Sequence, residues 1–87
     1  MRASHWVENK LAASVNILPK MDSIYQWKGE LRQGQEHKIF IKTCADRLAE
    51  LDREISSAHP YAVAEILHFK IDSGNSDYLN WIAQSTQ

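Results

Sequence analysis

The stretch Lys38-Ile39-Phe40-Ile41-Lys42-Thr43-Cys44-Ala45-Asp46-Arg47-Leu48-Ala49-Glu50-Leu51-Asp52-Arg53-Glu54-Ile55-Ser56-Ser57-Ala58-His59-Pro60 decides the fold class, because its apolar period changes once along its length. From Lys38 to Thr43, Ile39 and Ile41 fall on one face and Phe40 on the other, the period-two pattern of a strand. Ala45, Leu48, Leu51, Ile55 and Ala58 then recur one helical turn apart and make the apolar stripe of an amphipathic helix. Thr43 and Asp46, three residues apart, predict a capping box at its start. His59-Pro60 ends it, because the residue before a proline avoids the helical region.

Working outward, Val63 to Ile71 predicts a further strand, with Leu67, Phe69 and Ile71 on one face and Ile66, His68 and Lys70 on the other. Ser73-Gly74-Asn75 is a turn, and Asn75 or Ser76 caps a short last helix that carries Tyr78, Leu79, Trp81 and Ile82. On the other side, Ala3, Trp6, Val7 and Leu11 have helical spacing, which Ala12 and Ala13 extend with good helix formers. Ser14 to Leu18 alternates as a strand, Pro19 to Ser23 interrupts it, and Ile24 to Lys28 resumes with Tyr25 and Trp27 on one face. Gly29 and the polar run Arg32 to Glu36, with Gly34 inside it, supply the turn of a hairpin. The expected order is helix, strand, strand, helix, strand, helix.

A chain of 87 residues is one domain, and a domain this small buries only about 60% of the surface its unfolded chain exposes. With 44% hydrophobic and 24% charged residues it lies outside the composition of disordered chains. A formal net charge of -1, with Lys and Arg scattered singly, offers no basic stripe to a phosphate backbone and argues against a nucleic-acid partner. The one cysteine, Cys44, has no intrachain partner, which suits a reducing cytoplasm. Apolar runs are too short for a membrane span, and no charged-then-apolar leader is read.

Four stretches resemble one family in fixed order: Leu11 to Ile17, Ser23 to Gly29, Ile41-Lys42-Thr43 with His59-Pro60-Tyr61, and Gly74 to Ile82. They are similar to the CutA divalent-cation-tolerance proteins. That resemblance implies an α+β, ferredoxin-like βαββαβ sandwich spanning residues 1–87 as a single domain, assembled as a homotrimer shaped like the PII signalling proteins. It implies a role in copper or other divalent-cation tolerance, without enzymatic activity. The alternative from the same shape is a signalling or scaffold trimer that takes a small metabolite or a protein in its intersubunit clefts.

The chain departs from the family pattern in three ways. Ser14 stands where the family commonly has cysteine, which removes a thiol from any copper site there. After His59-Pro60-Tyr61 the chain reads Ala62-Val63-Ala64-Glu65, so that only one acidic residue is kept. The family's first strand and the start of its first helix are not found. In a sheet of order 4-1-3-2 that strand is central, between Lys38–Thr43 and Val63–Ile71. Its loss predicts that these two strands either pair directly as a parallel βαβ unit or are bridged by a strand of another chain.

For a metal, the candidate ligands are His59, Glu65 and Cys44, with copper or another divalent cation as the ligand that the family implies. Imidazole, carboxylate and thiolate are the donors such ions take, yet no two histidines have i, i+2 or i, i+4 spacing. His5, His37 and His68 read as surface residues, and Cys44 reads equally as a small buried hydrophobe. Glu65 would share a face with Val63, Leu67, Phe69 and Ile71, and a carboxylate there needs a partner. Lys42, His59 and Tyr61 are the neighbours that the family fold would supply. Together with Trp27, Tyr78 and Trp81, Lys42, Tyr61 and Glu65 make the candidate intersubunit pocket; the competing reading gives the aromatics, Tyr25 included, to the subunit contact itself. No nucleophile with a base, phosphate-cradling glycine loop or catalytic carboxylate pair is present.

Overall fold

A computed structural model describes residues 3–58 and 66–87. In chain order the elements are α1 (Ala3–Glu8), β1 (Ser14–Ile17), β2 (Met21–Trp27), β3 (Glu30–Glu36), β4 (Ile39–Lys42), a 3-10 turn (Ala45–Arg47) leading into α2 (Leu48–Ala58), and α3 (Ser76–Ser85). The mixture of helix and antiparallel strand is the expected α+β class.

Helix α1 stops earlier than its alanines suggest. Lys10 takes a left-handed conformation (φ 61°), and its N–H bonds the Val7 carbonyl (3.1 Å) while the Leu11 N–H bonds that of Trp6 (2.9 Å). These two bonds close a Schellman motif. Leu11, Ala12 and Ala13 therefore leave the helix but stay buried, and Trp6, Leu11, Ala12 and Leu51 form the core. Val15, Ile41 and Ile55 pack around it.

Strand β1 pairs antiparallel with β4, Val15 opposite Ile41 and Ile17 opposite Ile39. The hairpin turns at Gly29 as expected, but the turn does not extend to Gly34. Strands β2 and β3 pair over their whole length, Met21 opposite Glu36 and Trp27 opposite Glu30. Only Lys28 and Gly29 turn the chain, both at positive φ (52° and 78°), which is the two-residue type I′ geometry. The run Arg32 to Glu36 is thus strand, not turn. Its polar residues hid it; they make cross-strand bonds, from Gln35 Nε2 to Asp22 Oδ1 (3.1 Å) and from Ser23 Oγ to Glu36 Oε1 (2.7 Å). Strand β2 likewise starts at Met21, inside the expected interruption.

The capping box is not formed. Thr43 Oγ1 donates instead to the Leu11 carbonyl (2.7 Å), tying β4 to the loop after α1. Cys44 occupies the N-cap position without a side-chain capping bond. At the other end, the Asn75 side chain accepts from the Tyr78 N–H (3.0 Å) and caps α3. Arg47 Nε donates to the carbonyl of buried Thr86 (2.7 Å), which fastens the end of α3 to the start of the second helical segment.

One predicted strand is not formed over its described residues. Its first residues, Val63 to Glu65, lie outside the described residues, and Ile66 to Ile71 carry no regular secondary structure. Leu67, Phe69 and Ile71 are 69%, 81% and 66% exposed, while His68 Nε2 meets Asp52 Oδ1 of α2 (3.1 Å). Direct parallel closure against β4 is therefore overturned. A strand is stable only when a neighbour satisfies its main chain, and β4 spends one edge on β1.

Candidate functional site

The candidate site residues divide by place. His59, Tyr61 and Glu65 lie outside the described residues. Cys44 is half-buried where β4 turns toward α2. Lys42, at the end of β4, gives its ammonium to Asn16 Oδ1 on the neighbouring strand β1. That contact holds the Lys42 side chain along the β1–β4 sheet.

For a metal ion, three donors must converge on one point. Among the described residues no three His, Cys, Asp or Glu side chains do so. The nearest approach is the pair His68 and Asp52, 3.1 Å apart. Two side chains alone do not make a copper or zinc site, and the described residues do not fit such an ion by themselves.

The aromatic candidates are better defined. Tyr78 and Trp81, one helical turn apart on α3, hold their rings 5.7 Å between centroids at 32°. Both stay nearly half exposed, as do Tyr25 and Trp27 on β2. Ile24 and Leu31, exposed on β2 and β3, lie on the other face of the hairpin from Tyr25 and Trp27, so both faces carry apolar surface. Sequence reading missed Leu31, because it took the start of β3 for a turn. The signal was Lys28-Gly29: a glycine at the second position of a two-residue loop implies a strand immediately after it.

The CutA1 divalent ion tolerance protein family matches residues 2–85, nearly the entire chain. The chain belongs to the CutA1 family. Among relatives, the CutA homolog of Xenopus laevis is 43% identical over 76 residues, 87% of this chain and 50% of that protein. The chloroplastic CutA of Arabidopsis thaliana is 36% identical over 85 residues, 98% of this chain and 47% of that one. The chain thus spans about half the length of these relatives. The solved structure of the divalent cation tolerance protein Cut A1 from Thermus thermophilus superposes with a TM-score of 0.92 at 40% identity, covering 98% of this chain and 82% of that one. Among the described residues, no helix of this family member is long and apolar enough to cross a membrane.

Proposed function

We propose that residues 1–87 are a single ferredoxin-like domain that works, without catalysing a reaction, as one subunit of a PII-like homotrimer in divalent-cation tolerance, copper being the cation the family reading favours. The observation that carries this is the family match over residues 2–85. A cytoplasmic place suits the unpaired thiol of Cys44. Assembly is supported by surface. The chain exposes 7037 Å², whereas a compact 10.0 kDa monomer exposes about 5,200 Å². Its radius of gyration is 14.9 Å against about 12 Å for a compact chain of this length. The excess area is of the order that stable interfaces bury, and it includes Tyr25, Trp27, Tyr78 and Trp81.

In this reading Lys42, Trp27, Tyr61, Glu65, Tyr78 and Trp81 border the intersubunit pocket, and His59, Glu65 and Cys44 are the cation ligands. Calorimetric titration with copper(II), zinc(II) and a panel of nucleotides tests it. Copper(II) should bind with a dissociation constant of roughly micromolar or weaker, because the donors are dispersed and Ser14 supplies no thiol. His59→Ala should weaken it further. A nucleotide binding more tightly than either cation would overturn the cation reading in favour of a metabolite-binding trimer.

A further inference from the structure

We draw no further inference here: the strongest candidate, the His68–Asp52 side-chain pair that joins Ile66–Ile71 to α2, is too exposed at both partners for the contact to act as a pH-dependent tether, and among the described residues no third donor converges on it to hold a metal ion.

Discussion

A lysine, a glycine and a threonine set local geometry that other residue types would set more readily or not at all. Lys10 closes the Schellman motif in a conformation that costs a side-chain-bearing residue about 1 kcal/mol relative to glycine. Lys10→Gly should accordingly raise stability by about 1 kcal/mol in urea unfolding, and a loss would contradict the assigned turn. Gly29 sits at φ 78° in the β2–β3 turn, and Gly29→Ala should cost about 1 to 2 kcal/mol by the same measurement. Thr43 has spent its hydroxyl on the Leu11 carbonyl. Thr43→Val should cost about 1 kcal/mol, with the helix content unchanged because no capping bond is lost. Ser14, half-buried opposite Lys42 at the start of β1, stands where the family commonly carries cysteine. Ser14→Cys should tighten copper(I) binding in a competition titration with a chromogenic chelator; unchanged affinity would remove that position from any copper site.

At the scale of elements, legibility followed the apolar pattern. Ile39 and Ile41, and the stripe Leu48, Leu51 and Ile55, were readable because their period reports a buried face. Strand β3 was not, since Glu30 to Glu36 offers one apolar residue, Leu31, and is held by main-chain pairing and polar cross-strand bonds. The reverse failure is Ile66 to Ile71, whose pattern is that of a strand but which pairs with no strand among the described residues. Period records which face a residue is suited to; it does not supply a partner for the backbone. The candidate site was legible only in part for a related reason: Tyr78 and Trp81 meet within one helix, while His59, Tyr61 and Glu65 lie outside the described residues. The β2–β3 hairpin carries Ile24, Tyr25, Trp27 and Leu31 exposed and pairs with no other strand among the described residues. Tyr25→Lys or Leu31→Lys should lower the assembled mass while leaving the far-ultraviolet circular dichroism unchanged. Loss of secondary structure instead would show that the hairpin is needed for folding the subunit.

At the scale of the whole molecule, the small core around Trp6, Leu11, Ala12 and Leu51 is set against a surface larger than a compact chain of this mass would have. Long, exposed, partly apolar edge strands are hazardous in a monomer and are closed off by cyclic assembly. The extents of 45 × 26 × 21 Å describe a chain drawn out along one direction. Sedimentation equilibrium at micromolar concentration tests this most directly: the expected result is a single species of three 10.0 kDa chains, and a stable monomer of one chain would contradict it.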